Sequence, residues 1–176
     1  MEYHNPVLLK ETVDGLNIKP DGVYVDVTFG GGGHSREILK RLGPAGKLIA
    51  FDQDKDALQN AIDDMRFLLI NQNFRFLKQF LRFHGFRTVD GILGDFGVSS
   101  HQFDVAERGF STRFEADLDM RMNRDTNFSA YTVVNKYEEV QLRNVLSNYG
   151  ELRSAAGMAR VIAEARQTAM IKTSEQ

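Results

Sequence analysis

The sequence predicts an α/β fold in which a parallel sheet is followed by a helical module. Over the first hundred residues, short apolar runs alternate with segments of helical periodicity, and a glycine-rich turn follows the first apolar run. Alternation of strands and helices is typical of parallel sheets with right-handed crossover connections. After about residue 103 the strand pattern ends, and the chain becomes first charged and then helical.

The elements of the sheet follow one another along the first half of the chain. Four apolar runs have the length of strands, namely Val23–Val27, Lys47–Phe51, Phe67–Ile70 and Gly91–Gly94. Helical patterns lie between them, at Ser35–Leu42, Lys55–Met65 and Phe74–Phe86. Because four strands are few for a doubly wound sheet, we expect the sheet to be incomplete and the chain to be part of a longer polypeptide.

The second half of the chain has a different character. Residues 104–127 are charged and irregular, which predicts a loop, and three helical patterns follow at Ser129–Asn135, Glu138–Asn148 and Glu151–Gln167. We therefore expect two domains, a core over residues 1–105 and a loop with a partial helical module over residues 106–176.

The composition narrows the class of protein. Hydrophobic residues make up 42% of the chain and charged residues 26%, as in ordinary globular proteins. No apolar run approaches the roughly 20 residues of a membrane helix, the N-terminus lacks the features of a signal peptide, and cysteine is absent. We expect a soluble cytoplasmic protein. The net charge of −2 argues against a broad basic face but leaves room for local arginine clusters.

The segment DVTFGGGGHS, residues 26–35, indicates a ligand site. A strand, a glycine-rich turn and a helix start bring a ligand close to the backbone. Asp52 ends the second strand nineteen residues after Gly33, where a carboxylate usually binds ribose hydroxyl groups. The dinucleotide motif GxGxxG fails because Ser35 stands where its third glycine belongs, and no Gly-Lys-Ser/Thr follows for a phosphate-binding loop.

Asp26 favours one kind of ligand over another. A carboxylate beside the glycines would repel a pyrophosphate, since like charges about 4 Å apart cost on the order of 4 kcal/mol at an effective dielectric constant near 20. The same carboxylate suits an ammonium or sulfonium group. S-adenosylmethionine, a nucleoside with a cationic amino-acid tail, would satisfy both Asp26 and Asp52. The alternative is a tight glycine turn with no ligand.

Three further residues are candidates for the same site. Asp95 leaves the fourth strand at the carboxyl edge of the sheet, where ligands bind in open α/β folds, although it could instead cap a turn. Phe74 follows the third strand and could lie against an adenine ring or begin the core of a helix. His34 could serve acid–base chemistry or simply begin its helix. The four histidines have no metal-ligand spacing.

Several long motifs then point to a known family. They are HNPVLLKETVDGL, DVTFGGGGHS, FDQDKDAL, DGILGDFGVSSHQFD, ERGFS, LDMRMN and YGELRSAAGMARVIAEAR. In this order they resemble the bacterial small-subunit rRNA cytosine-N4 methyltransferases over essentially the whole chain. The resemblance implies a Rossmann-like methyltransferase core with a helical insert. It also implies S-adenosylmethionine as cofactor and methylation of the exocyclic amine of a cytosine in the decoding region of 16S rRNA.

The resemblance also assigns cofactor contacts, motif by motif. They fall on Gly32, Gly33, His34, Asp52, Phe74, Asp95 and Gln102. The chain departs from the family pattern in its RNA-facing loop. It reads EADLDMRMN where GPLDMRMD is usual, GFST where GFSF is usual, and DFGVSSHQ where DLGVSSPQ is usual.

The expected chemistry is transfer of a methyl group to a weakly nucleophilic amine. Asp95 is the candidate to accept a proton from that amine, with Ser99 or Ser100 as orienting groups. Methylation of the cytosine ring carbon normally needs a cysteine nucleophile, and these 176 residues contain none.

The charged loop is the expected contact for the RNA. It carries Arg108, Arg113, Arg121 and Arg124. Phe103 precedes these arginines, and Phe110 and Phe114 are interleaved with them. Arginine with aromatic side chains suits unstacked bases, whereas an ordinary solvated loop explains the pattern equally well because acidic residues offset the charge. Two other functions remain open, a small-molecule methyltransferase and a nucleotide-binding module without catalysis. A homodimer could cover the fourth strand.

Overall fold

The computed structural model describes residues 6–176. Residues 1–5, which include His4 and the start of the HNPVLLKETVDGL segment, lie outside the described part. The chain forms two compact units, one ending at Gly97 and the other extending from Val98 to Gln176. The predicted boundary followed residue 105, and the assignment of these parts to a core and an insert stays a prediction.

The first unit is built on a four-stranded parallel sheet. Its strands are β1 (Val23–Asp26), β2 (Lys47–Phe51), β3 (Phe67–Ile70) and β4 (Gly91–Leu93), in the order β3-β2-β1-β4. Val25 pairs with Ile49 on one side and with Ile92 on the other. The sheet confirms the predicted α/β class, and its carboxyl edge collects the loops that follow all four strands.

Helices cover both faces of this sheet because successive side chains of a strand point to opposite faces. Helices α1 (Leu9–Gly15) and α2 (Gly33–Arg41) pack against Tyr24 and Leu48 on one face. Helix α3 (Leu77–Phe83) packs Leu81 against Val25, Ile49 and Phe51 on the other. Helix α1 was not predicted.

The prediction of a helix over Lys55–Met65 is wrong for the second half of that segment. A 3₁₀ helix covers only Lys55–Asn60. Beyond it, the Asp64 carboxylate accepts hydrogen bonds from the backbone N–H and the guanidinium of Arg66, whose Nη1 also donates to the Leu42 carbonyl at 2.6 Å. These bonds lower the pKa of Asp64 to about 2. A local side-chain acceptor of this kind offers the backbone an alternative to helical hydrogen bonds.

The predicted helix at Phe74–Phe86 is shorter and consists of two parts. A 3₁₀ turn covers Phe74–Phe76, and α3 follows directly and ends at Phe83. Gly85 has a φ of +85°, a left-handed conformation that glycine adopts without strain, and this breaks the helical periodicity.

The second unit is helical, as predicted. It contains α4 (Ser100–Asp104), a 3₁₀ turn at Ala106–Arg108, and helices α5 (Ala130–Lys136), α6 (Glu139–Asn148) and α7 (Ala155–Thr168). Helix α7 begins four residues after the predicted start at Glu151, which has a positive φ of 53°. Among residues 6–176 there is no helix long and apolar enough to cross a bilayer.

Asn135 ties the last segment of the chain to α5. Its side-chain amide donates to the carbonyls of Tyr131 and Ile171 at 3.0 and 2.8 Å, and its carbonyl accepts from the Ile171 N–H at 2.9 Å. The side chain is buried, so all of these bonds are formed away from water.

We therefore expect Asn135→Ala to lower the free energy of unfolding by about 1–3 kcal/mol, because it leaves buried backbone groups without partners. Urea denaturation followed by circular dichroism measures the change. Asn144→Ala, on the exposed face of α6, is the matched control and is expected to change stability by less than about 0.5 kcal/mol. Equal effects of the two substitutions would contradict this role of Asn135.

Candidate cofactor-binding site

The glycine-rich turn joins β1 to α2 at the carboxyl edge of the sheet, where Gly32 is buried and the other three glycines are half-buried. Gly32 is the N-cap of α2 with a φ of +75°, and an added Cβ there would lie 2.5 Å from the Arg36 guanidinium and 2.9 Å from the Phe29 ring. Within the described residues no side chain caps this helix. The first N–H groups of α2 therefore remain available to a ligand.

Asp26 holds this turn from beneath. Its carboxylate is 0% exposed, accepts the Ser35 hydroxyl at 2.7 Å through one oxygen, and accepts the Thr28 N–H at 3.0 Å through the other. Burial raises the pKa of Asp26, and the bonds from Ser35 and Thr28 oppose that rise. The prediction that Asp26 faces a cationic ligand is wrong, because the protein encloses both of its oxygens.

Thr28 connects the turn to the loop after β4. Its hydroxyl lies 3.5 Å from the Asp26 carboxylate and accepts the backbone N–H of Asp95 at 2.8 Å. Asp95 is exposed, and its carboxylate makes no hydrogen bond or ion pair within residues 6–176. The sequence did not single out Thr28, although a hydroxyl two residues after a buried strand-end carboxylate suggests such a connection.

Asp52 lies on the other side of the turn. The order of the strands places the end of β2 beside the end of β1, and one Asp52 oxygen accepts the Gly30 N–H at 2.8 Å. The other accepts the Asp54 N–H at 2.8 Å. Burial raises the pKa of Asp52, and these two amides oppose the rise. The backbone amide of Gln53 also opposes the rise. Three amides on a carboxylate with four acceptor positions leave capacity for one hydroxyl donor.

The loop after β3 brings an aromatic surface to the same edge. Asn71 donates to the Asp52 carbonyl at 2.9 Å, and Asn73 donates to the Gln53 side chain at 2.8 Å. These bonds fix the position of Phe74, whose ring centroid lies 5.5 Å from that of Phe96. Phe74 is 41% exposed and Phe96 is 70% exposed. Large apolar side chains exposed as a pair often mark a binding surface.

Phe96 is a candidate that the sequence analysis missed. It follows Asp95 in the loop after β4, and two strands, β2 and β1, lie between β4 and the strand β3 whose following loop carries Phe74. Nothing in its local sequence predicts the pairing, because the contact depends on the order of the strands.

His34 lies in the first turn of α2. Its side chain is buried, and Nε2 has no hydrogen-bond partner among the described residues. This enclosure favours the simpler of the two interpretations, in which His34 contributes its backbone N–H at the start of the helix. A contact with the cofactor stays a prediction.

Gln102 belongs to the second unit, where it takes part in a capping box. Its side-chain carbonyl accepts the Ser99 N–H at 3.1 Å, and the Ser99 hydroxyl accepts the Gln102 N–H at 3.2 Å. The structure thus gives Gln102 and Ser99 a role in starting α4. Their proposed roles toward cofactor and substrate stay predictions.

The arginines of the predicted RNA-facing loop divide into two kinds. Arg108 is 1% exposed and donates to the Arg121 and Met122 carbonyls, so the prediction that it contacts RNA is wrong. Arg121 binds the buried Asp119 carboxylate and is held in the loop. Arg113 and Arg124 are exposed, each near one carboxylate at 3.6–3.7 Å.

In the first unit, the carboxylates of Asp52 and Asp95 follow strands on either side of β1 and its glycine-rich turn. The aromatic pair Phe74 and Phe96 lies in the loops after β3 and β4. No group of three or more metal-ligating side chains is found among residues 6–176. The arrangement can accept hydroxyl donors at Asp52, hold an aromatic ring at Phe74 and Phe96, and place backbone N–H groups beneath a ligand.

A family model described as the MraW methylase family matches residues 1–176. The chain belongs to this family. The ribosomal RNA small subunit methyltransferase H of Flavobacterium johnsoniae is 69% identical over the whole chain, as is that of Christiangramia forsetii, and the protein of the same name in Bacteroides thetaiotaomicron is 56% identical over 98% of it. This member of the MraW methylase family spans about 58% of the length of its Flavobacterium relative.

A solved structure is also similar to this MraW-family chain. It is a putative methyltransferase from an antibiotic biosynthesis pathway of Anabaena variabilis, with 14% identity and a TM-score of 0.38 over 83% of this chain and 61% of that one. The family assignment does not depend on this similarity.

The buried Asp26 carboxyl group predicts a pH dependence of stability. Its raised pKa means that its contribution to stability is present below the unfolded value near 3.8 and is lost as the pH rises through the folded value. We expect the stability difference between the original chain and Asp26→Asn to shift in favour of the variant as the pH rises above about 4.

Urea denaturation at several pH values measures this difference. Asp63→Asn, which removes an exposed carboxyl group elsewhere in the unit, controls for the loss of one acid. A difference between Asp26→Asn and the original chain that stays constant with pH would show that Asp26 titrates alike in the folded and unfolded states.

Proposed function

We propose that this chain is the cofactor-binding part of a cytoplasmic S-adenosylmethionine-dependent methyltransferase that acts on the exocyclic N4 amine of a cytosine in 16S rRNA. The single observation that supports it most is Asp52, held by two backbone amides beside an open glycine turn, in a chain of the MraW methylase family. The names of the relatives supply the small-subunit rRNA as the acceptor.

The residues of the site fit this cofactor part by part. Asp52 keeps acceptor capacity for a ribose hydroxyl, and Phe74 with Phe96 offers an apolar surface to the adenine. The uncapped first turn of α2, Gly32 to His34, offers N–H groups to the carboxylate of the amino-acid tail. Asp95, exposed on the far side of the turn, can attract its ammonium group or the amine of the substrate.

The bound cofactor supplies an electrophilic methyl group. The part that the chain's own residues play is positioning, which contributes much of the rate in an in-line displacement. The Asp95 carboxylate can accept a hydrogen bond from the cytosine amine and later its proton. Thr28 fixes the backbone N–H of Asp95 at 2.8 Å, so that this carboxylate starts from a defined position.

Two alternatives use the same geometry. A small-molecule methyltransferase would need no RNA-binding surface, and the names of the relatives speak against it. A cofactor-binding module without catalysis would bind S-adenosylmethionine and transfer nothing.

A homodimer through the outer edge of β4, which has no strand partner within the described residues, remains part of the proposal.

Asp52→Ala tests the cofactor site. Loss of hydrogen bonds from a charged acceptor costs about 1.5–3 kcal/mol, so we expect the dissociation constant for S-adenosylmethionine to rise by about 10- to 100-fold. Isothermal titration calorimetry measures it, with Asp63→Ala as the control acid of the same unit. If the two variants bind equally, Asp52 has no such role. If the original chain binds no S-adenosylmethionine, the proposed function fails as a whole.

Asp95→Asn separates catalysis from cofactor binding. The amide keeps the size and one oxygen but cannot take up a proton, so we expect the single-turnover rate of methyl transfer to 30S subunits to fall by roughly 10²- to 10⁴-fold. The dissociation constant of the cofactor is expected to change by only a few-fold. A weaker cofactor complex with an unchanged rate at saturation would make Asp95 a cofactor contact alone.

A further inference from the structure

A continuous stretch of the first unit carries positive charge only. Between Asp64 and Asp90 the sequence contains no acidic residue, although the whole chain has a net charge of −2. The stretch includes the 3₁₀ turn after β3 and the whole of α3. Its cations Arg75, Lys78 and Arg82 are exposed.

The spacing of these cations places them on one side of the helix. Lys78 and Arg82 lie four positions apart on the outer face of α3, and Arg75 lies in the 3₁₀ turn that leads into it. The three cations form a stripe because they line the same depression. The opposite side is fixed, because Leu77, Phe80 and Leu81 pack into the core beneath the sheet. The stripe cannot turn inward without breaking that packing.

The stripe lines an open groove. Arg75, Phe76, Lys78, Gln79 and Arg82 surround a depression with a volume of about 580 Å³. The Arg75 guanidinium lies 4.5 Å above the centre of the Phe76 ring. Phe83, at the end of α3 and four positions after the lining residue Gln79, is 83% exposed. The groove therefore offers both cationic groups and aromatic surfaces.

Several other arginines of the chain have an acidic partner, and the three cations of the stripe do not. Arg41 binds Asp14, Arg66 binds Asp64 and Arg121 binds Asp119. Arg75, Lys78 and Arg82 form no ion pair with any of the described residues. Three adjacent cations without partners repel one another, and binding of a polyanion would remove this repulsion.

The groove also lies next to the proposed site of chemistry. Phe74 of the aromatic pair immediately precedes Arg75, so the stripe begins at the edge of the cofactor site.

We propose that the α3 groove, defined by Arg75, Phe76, Lys78, Gln79 and Arg82, binds the phosphate backbone of the single-stranded RNA that flanks the target base. This rests on the proposed function, which makes RNA the substrate. The three cations neutralise successive phosphates, while Phe76 and Phe83 offer faces on which bases stack. An acidic protein would match the charge but would leave the aromatic surfaces unused.

The test combines three neutralising substitutions in the full chain, Arg75→Gln, Lys78→Gln and Arg82→Gln. The control combines Lys10→Gln, Lys19→Gln and Lys40→Gln, which change the net charge equally. Lys10 and Lys40 belong to α1 and α2, which pack on the opposite face of the sheet from α3. Fluorescence anisotropy with a short cytosine-containing single-stranded RNA measures affinity over a series of salt concentrations.

The expected result follows from the release of counterions by three phosphate contacts. The slope of log K against log salt should become shallower by about 2 in the α3 variant, and the affinity at 0.1 M salt should fall roughly 100-fold. The control should keep the original slope. Calorimetric binding of S-adenosylmethionine should be unchanged in both, which also shows that both variants are folded.

Other results overturn the proposal. Equal RNA binding by the α3 variant and the control would show that the cations of α3 do not bind RNA. Absence of RNA binding by the original chain would also contradict the proposal. Binding of poly-glutamate that is lost in the α3 variant while RNA binding persists would assign the groove to an acidic protein. Failure of the proposed function has a separate signature, since the original chain would then not bind the cofactor.

Discussion

The hydrogen bonds of one buried carboxylate determine the shape of the candidate site. Asp26 is enclosed at the end of β1, and a buried polar group is tolerated only when its oxygens have partners. Ser35 supplies one partner from within α2 and Thr28 supplies the other from the turn. The first bond holds the helix against the strand end. The second bond, from the Thr28 N–H, holds Thr28 in place. The Thr28 hydroxyl accepts the Asp95 N–H, so the loop after β4 depends on the same carboxylate.

Much of the sheet could be predicted because its signals are local. The runs Lys47–Phe51 and Phe67–Ile70 are apolar and short, and the structure confirms both as strands. The burial of Asp26 was not predictable in this way, since it depends on a hydroxyl nine positions away that α2 brings back to the strand. The Phe74–Phe96 pair likewise requires the strand order. Arg108 looked like an exposed cation of a charged loop, and only the folded loop shows its backbone acceptors.

Three acidic residues of the first unit organise backbone. Asp52 accepts the N–H of Gly30, Asp64 that of Arg66, and Asp90 that of Val23. Such bonds fix loops by providing acceptors that water would otherwise supply. The sequence showed these residues as charges of a mildly acidic protein, whereas the structure shows most of their oxygens directed toward the chain itself.

Because carboxylates bind groups of the chain itself, the net charge alone does not predict which charged partners the surface can bind. A formal charge of −2 argues against a broad basic surface, and none is needed for a short strand of RNA. An arginine such as Arg66 neutralises the carboxylate that it binds, and at physiological salt charges more than about 8 Å apart are largely screened. A stripe such as that of α3, far in sequence from any acid, can then present a positive potential on an overall negative chain. Local arrangement of charge, rather than its sum, decides which polyanions the surface can approach.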